Sequence, residues 1–219
     1  MIKVKYTTLS VWFWKQFSHW GAKRNFREFR VKGLENLPDN LDEYAMLMIG
    51  NHKTMWDPFW VIDLCHKYFN KRFHAMMLER ELEKRMLLRT GGAYSINPGT
   101  RSMVESIKYT LDLLEKPGNL VLYFPQGRLF SQYEHKMDFQ PGIEKVLNRL
   151  KKPVHICFYV AFIDYLEYFK PTLTFYLTSV PLENVKTTEQ LELAFQKHYD
   201  AALAKQKGEA DERHGLMKY

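Results

Sequence analysis

The chain has 219 residues and a formal net charge of +7, with 46% hydrophobic and 26% charged residues. That balance excludes a disordered or fibrous chain, and the lack of any apolar run of 18 residues argues against a bilayer-spanning helix. The length fits one domain with a substantial core, and the positive charge fits an anionic partner: a membrane, a nucleic acid or a phosphorylated substrate.

In chain order, residues 6–29 come first. They hold Tyr6, Trp12, Phe13, Trp14, Phe17, Trp20, Phe26 and Phe29, interleaved with Lys15, Lys23, Arg24, Arg27 and Arg30. Phe13, Phe17 and Trp20 follow i, i+4, i+7 spacing and share one helical face. Aromatic rings beside cations suit a helix lying in a membrane interface, and they equally suit a helix packed on its own domain. Lys3 and Lys5 precede no long apolar stretch with a small-residue cleavage site, so no signal peptide is expected and the chain is placed in the cytoplasm.

Gly33 and the Asn36-Leu37-Pro38-Asp39-Asn40 cluster mark a turn. The apolar run 45–49 reads as a buried strand. Residues 58–69 read as a helix with Asp57 as N-cap and Pro58 in the first turn. A strand at 73–77 and a charged helix at 79–89 follow, the helix ended by Gly91-Gly92. The strand 93–96 leads through Asn97-Pro98-Gly99 into a helix at 101–114, with Val104, Ile107, Leu111 and Leu114 at helical spacing. Residues 120–124 form a fully apolar strand. A polar loop and a helix at 141–150 come next, then strands at 154–161 and 173–180 and an amphipathic helix at 187–205. Strands alternating with helices predict a single α/β domain with a mostly parallel, mixed sheet flanked by helices, plus an N-terminal amphipathic, aromatic-rich helix. The divisions expected are a membrane-associating segment at 1–30, a catalytic domain at 31–205 and a charged tail at 206–219. Cys65 and Cys157 sit in apolar runs without metal-ligand spacing and read as buried reduced thiols; no metal site is expected.

The chemistry concentrates in Asn51-His52-Lys53-Thr54-Met55-Trp56-Asp57-Pro58, directly after the strand at 45–49. In a continuous helix, residues five apart differ by about 140° around the axis and face away from each other. His52 and Asp57 can meet only if the chain turns between them, and the helix start at Asp57-Pro58 supplies that break. The carboxylate then holds Nδ1 and leaves Nε2 free to accept a proton. The competing readings are a surface histidine and a plain capping aspartate.

This segment resembles the NHxxxxD signature of the glycerolipid acyltransferases, the lysophosphatidic acid acyltransferase family. Gly92-Ala93-Tyr94-Ser95-Ile96-Asn97 is similar to that family's second block, and Phe124-Pro125-Gln126-Gly127 to its third, FPEG. Phe139 and Gly142 fit a downstream F-x-x-G, and Pro153-Val154-His155-Ile156 resembles the fourth block. Val31 to Pro38 looks like the entry strand and turn. The resemblance implies acyl transfer from a thioester, acyl-CoA or acyl carrier protein, to a lysolipid hydroxyl. His52 is then the general base and Asp57 its orienter. No acyl-enzyme is implied and no cofactor is required. The chain has no GxSxG elbow, and neither cysteine has a catalytic-looking histidine partner.

Three departures fall on the family's acceptor-binding positions. Pro98 stands at the second block's arginine position, with Arg101 the nearest arginine. Gln126 replaces the glutamate, and Arg128-Leu129-Phe130-Ser131 replaces Thr-Arg-Ser. Arg101, Gln126, Gly127 and Arg128 are therefore the expected substrate-binding positions, with Arg101 and Arg128 seeking an anionic headgroup. Arg80 is a weaker candidate, and Lys53 reads equally as a lysine that only faces solvent. His66, His74, His135 and His155 read as structural, and Trp60, Met76 and Met77 as core or acyl-groove lining. The expected enzyme is peripheral on the inner face of an anionic membrane and accepts something other than standard lysophosphatidic acid. The alternative is a catalytically idle lipid- or carrier-binding protein on the same scaffold. A nucleic-acid-binding domain has no motif to support it.

Overall fold

The computed structural model describes residues 1–214, with side chains through Ala210. Seven strands form one sheet: β1 (Glu28–Lys32), β2 (Ala45–Gly50), β3 (Arg72–Leu78), β4 (Ala93–Ile96), β5 (Asn119–Tyr123), β6 (Val154–Asp164) and β7 (Thr172–Val180). Their order across the sheet is β1-β7-β6-β2-β5-β3-β4. Neighbours pair in parallel except β6 and β7, which are antiparallel. The sheet is thus mostly parallel and mixed, as the alternating pattern predicts.

Helices cover both faces: α1 (Thr8–Asn25), α2 (Asp57–Leu64), α3 (Glu79–Glu83), α4 (Ser102–Leu114), α5 (Glu144–Leu147) and α6 (Thr188–His214). The central strand β2 reads Ala-Met-Leu-Met-Ile-Gly and is buried throughout. Strand alternation splits it between two cores. Ala45, Leu47 and Ile49 join Ile107, Leu114, Phe195 and Tyr199 on the α4–α6 side. Met46 and Met48 join Trp60, Val61, Leu64, Ala22 and Phe26 on the α1–α2 side.

Several elements differ from their sequence reading. The helix expected at 58–69 is α-helical only to Leu64. Cys65–Phe69 form one π turn, closed where the Asn70 N–H donates to the Cys65 carbonyl at 3.0 Å. The charged helix at 79–89 stops at Glu83, and Met86–Gly91 tighten into a 3-10 turn. The N-terminal segment is the physical reason. Lys5 N–H donates to the Arg89 carbonyl at 2.9 Å, and the Trp14 indole N–H donates to Thr90 Oγ1 at 2.9 Å while its ring packs on Gly91. Tertiary contacts override helix propensity here. On α4 the buried stripe is Ser106, Ile107, Thr110, Leu113 and Leu114, and Val104 points to solvent. The helix at 141–150 shrinks to α5, because Pro141-Gly142 form a turn before it. The last helix runs past 205 to His214, so the expected tail begins as helix; 215–219 lie outside the described residues.

The N-terminal helix packs on its own domain along one side and leaves large apolar residues exposed along another. Trp14, Ser18 and Ala22 are buried against the domain. Phe17 contacts Trp56 and Phe59 of the α2 region. Leu9, Trp12, Phe13 and Trp20 remain exposed, so the expected Phe13-Phe17-Trp20 face is divided between packing and solvent.

His74 on β3 is buried, with Asn119 beside its ring. Burial pushes its pKa down to about 4. The unfolded chain therefore binds a proton that the folded chain refuses between pH 6.5 and 4. This contribution to stability is complete above pH 6.5 and falls by about 3 kcal/mol as the pH drops to 4. Urea unfolding at a series of pH values should show a shallower acid loss for His74→Phe than for the parent; an unchanged slope would refute the assignment.

Candidate active site

The site is built where β2 ends. A Cβ on Gly50 would lie 2.1 Å from the Tyr159 ring, so glycine alone lets the end of β2 pass this close to β6. The next residue, Asn51, is 1% exposed. Its Nδ2 donates to the Ala161 carbonyl at 3.1 Å, and the Ala161 N–H donates to its Oδ1 at 2.9 Å. The carboxamide thus continues the pairing of β2 with β6 while the backbone turns away from the sheet.

His52 is held from four sides. Its backbone N–H donates to Gln126 Oε1 at 2.8 Å, and its carbonyl accepts from the Phe130 N–H at 3.1 Å. Its ring lies on that of Phe124, with centroids 3.9 Å apart and planes 15° apart. Its Nδ1 is 3.0 Å from Asp57 Oδ2. That same oxygen accepts from the backbone N–H groups of Lys53 at 2.8 Å and Thr54 at 3.0 Å. A carboxylate facing Nδ1 requires the proton there, and so leaves the Nε2 lone pair available.

Asp57 is not the N-cap of α2. Trp56 occupies that position and Asp57 is the first helical residue. Its carboxylate points backward and closes the 53–57 turn, where its own N–H donates to the Thr54 carbonyl at 3.2 Å. The N-terminal end of the α2 dipole also favours a carboxylate there. The turn needed to bring residues five apart together is thus made by the aspartate itself.

The loop after β5 is fastened to this turn. Lys53 Nζ donates to the Ser131 carbonyl at 3.0 Å and also to that of Glu134. Burial lowers the Lys53 pKa. Gly127 has φ +66, in the left-handed region, and its N–H donates to the Phe124 carbonyl at 3.1 Å. Gln126 is 1% exposed, with Nε2 at 3.5 Å from Met137 Sδ. Its carboxamide is therefore engaged within the chain. Gly127 and Arg128 are exposed, and the Arg128 guanidinium stacks 4.6 Å from the Phe130 ring centre. Arg101 is exposed at the cap of α4, beyond β4, with β3 and β5 between that strand and β2. Arg80 is exposed beside Glu81. A cavity of about 260 Å³ has Asn51, Lys53, Asp57, Ile163, Leu166 and Leu203 among its lining residues.

The geometry joins His52 to Asp57 and brings the 126–131 loop against them. Arg101 stays apart from that cluster. Sequence reasoning missed the roles of Asn51, Lys53 and Phe124. The first two lie inside the recognised motif, but their bonds reach residues far along the chain. Among the described residues, no three His, Cys, Asp or Glu side chains gather as metal ligands would.

Comparison with known proteins agrees with this architecture. Among solved structures, the crystal structure of the 1-acyl-sn-glycerophosphate (LPA) acyltransferase PlsC from Thermotoga maritima is similar at a TM-score of 0.57 and 16% identity. The match covers 95% of this chain and 81% of that one. At this identity the likeness establishes the fold. No curated protein sequence matches. The profile of the family described as Acyltransferase matches residues 28–160, which include β2, the His52–Asp57 turn and the 124–127 turn. With more than half of its length matched, the chain belongs to the acyltransferase family.

Proposed function

We infer that this acyltransferase moves a fatty acyl group from a thioester, acyl-CoA or acyl carrier protein, to the hydroxyl of a lysolipid, with His52 as general base. The observation that carries the reading is the 3.0 Å contact between His52 Nδ1 and an Asp57 oxygen fixed by two backbone N–H groups. Nε2 takes the hydroxyl proton as the acceptor oxygen attacks the thioester carbonyl. The tetrahedral intermediate then collapses, the carbon–sulfur bond breaks, and the imidazolium returns the proton to the departing thiolate. No covalent enzyme intermediate is needed. Cys65 and Cys157 are buried, and burial raises both thiols to about 12, which leaves them poor nucleophiles.

Arg128 is the residue we assign to an anionic headgroup, because it is exposed on the loop fastened to His52. Arg101 is a more distant second contact for an extended acceptor. Gln126 is assigned a positioning role in place of direct substrate contact, since it holds the His52 N–H from within the core. The acceptor is then a lysolipid other than lysophosphatidic acid. The exposed Leu9, Trp12, Phe13 and Trp20 face of α1, with Lys15, Lys23 and Arg24, supports attachment to the inner face of an anionic membrane. No helix among the described residues is long and apolar enough to cross one. The altered acceptor positions also favour a second reading, an idle lipid- or carrier-binding protein.

Thiol release from acyl-CoA or acyl carrier protein, measured against a panel of lysolipids, separates these readings. The parent should turn over at least one lysolipid faster than lysophosphatidic acid, and His52→Ala should lose about 10²–10⁴-fold in kcat while still binding lipid. A parent inactive with every donor and acceptor supports the binding protein. A clear preference for lysophosphatidic acid refutes the altered acceptor.

Gln126 generates a separate expectation. Gln126→Glu keeps an oxygen facing the His52 N–H but adds a buried negative charge, which favours the protonated form of a neighbouring imidazole. The acid limb of the pH–rate profile should therefore move to higher pH, with kcat at alkaline pH nearly retained. Gln126→Leu leaves that N–H unpaired and should lower kcat at every pH. A Glu variant with the parental profile would remove the proposed positioning role.

A further inference from the structure

The loop joining β6 and β7, residues 165–171, reads Tyr-Leu-Glu-Tyr-Phe-Lys-Pro. Four of its seven residues are large and apolar or aromatic, and all four are exposed, Phe169 completely. Hairpin connections usually need about two to five residues, so this one is longer than closure demands. Leu166 adopts φ +46, a left-handed conformation that costs a non-glycine residue roughly 1–2 kcal/mol. Single exposed apolar residues are ordinary, but a contiguous aromatic tip on a strained turn marks an interaction surface.

The direction of the tip follows from register. β6 runs parallel to β2 and continues past Gly50, the last residue of β2, to Asp164. The tip therefore projects from the end of the sheet that carries His52. Leu166 lines the same cavity as Asn51 and Asp57. Met55 and Trp56, between His52 and Asp57, are exposed at that end too. Cations border the tip: Lys170 lies within it, and the Arg27 guanidinium sits 3.5 Å from the Tyr168 ring centre. Aromatic rings with adjacent lysine and arginine match the interface of a bilayer, where the rings sit at headgroup depth and the cations meet anionic lipid. A second copy of the chain is a poor occupant, because a seven-residue tip offers far less than the roughly 800 Å² per partner of a stable interface.

We propose that the 165–171 tip inserts into an anionic bilayer and presents the His52 end of the sheet to it, as a membrane contact separate from α1. The proposal rests on the peripheral-membrane part of the functional reading and not on its chemistry. The test is partitioning of the full chain onto vesicles of phosphatidylcholine with and without phosphatidylglycerol, in the absence of any acyl donor. Its failure therefore leaves acyl transfer standing, and an inactive protein leaves the insertion standing.

Tyr165→Ser/Phe169→Ser should partition onto the anionic vesicles about a hundredfold less than the parent, the scale expected for withdrawing two rings from an apolar layer. Its melting temperature should be unchanged, because both side chains are exposed. Phe169→Cys carrying an environment-sensitive fluorophore should shift its emission to the blue when anionic vesicles are added; Cys65 and Cys157 are buried and escape labelling. Parental partitioning by the double variant overturns the proposal, as does a label that keeps its aqueous emission while the protein is vesicle-bound. Equal partitioning of the parent onto phosphatidylcholine alone overturns the anionic assignment. A vesicle-free dimer that the double variant abolishes gives the surface to a second copy and overturns it as well.

Discussion

One carboxylate oxygen organises the His52 end of the sheet. Asp57 Oδ2 receives the Lys53 and Thr54 backbone N–H groups and faces His52 Nδ1. Hydrogen bonds to a charged acceptor contribute roughly 1.5–3 kcal/mol each, so their convergence on one atom makes the 52–57 turn a single rigid object. The two backbone bonds fix the turn, and the turn fixes the oxygen that fixes the imidazole. Removing the carboxylate would release all three donors together. The general-base reading depends on this constraint, because an imidazole free to rotate would present either nitrogen.

That turn is itself suspended between two strands. Asn51 anchors it to β6 through a side-chain imitation of strand pairing, and Gln126 and Phe130 anchor His52 to the loop after β5. β6 and β5 are the two neighbours of β2 in the sheet. The histidine therefore inherits its position from the parallel register of three central strands, buried throughout β2, over Asn119 to Leu122 of β5 and over Ile156 to Val160 of β6, which cannot shift there without opening the core. Lys53 extends the same arrangement outward by capping two carbonyls of the loop that carries Arg128.

The parts that could be read from the sequence are those governed by local pattern. The apolar run of β2, the alternation of strands and helices, and the His52–Asp57 spacing all follow from short-range rules, and the ordered motif blocks pointed to the family. The parts that could not be read depend on distant partners. Helix propensity over 79–89 loses to contacts from Lys5 and Trp14, more than seventy residues earlier. Val104 fits the α4 periodicity yet faces solvent, because Ser106 and Thr110 are the residues turned inward: the Ser106 hydroxyl donates to the Ser95 carbonyl, and Thr110 Oγ1 lies 2.9 Å from the Tyr94 hydroxyl. Gln126 stands at a motif position that reads as a substrate contact, and its burial beside the left-handed turn at Gly127 and against Met137 could not be read from that position.

The replacement of a family glutamate by Gln126 acquires a physical meaning from this arrangement. At that position the side chain must offer an oxygen to the His52 N–H, and glutamine and glutamate both do so. They differ in the second atom of the head group. Glutamine carries an amide nitrogen, directed here at the soft sulfur of Met137, whereas a carboxylate would bury a charge against a thioether. The neutral residue and the apolar methionine therefore form a matched pair. Asp57 then stays the carboxylate that faces His52, and the same loop carries into solvent Arg128, the residue we assign to an anionic acceptor.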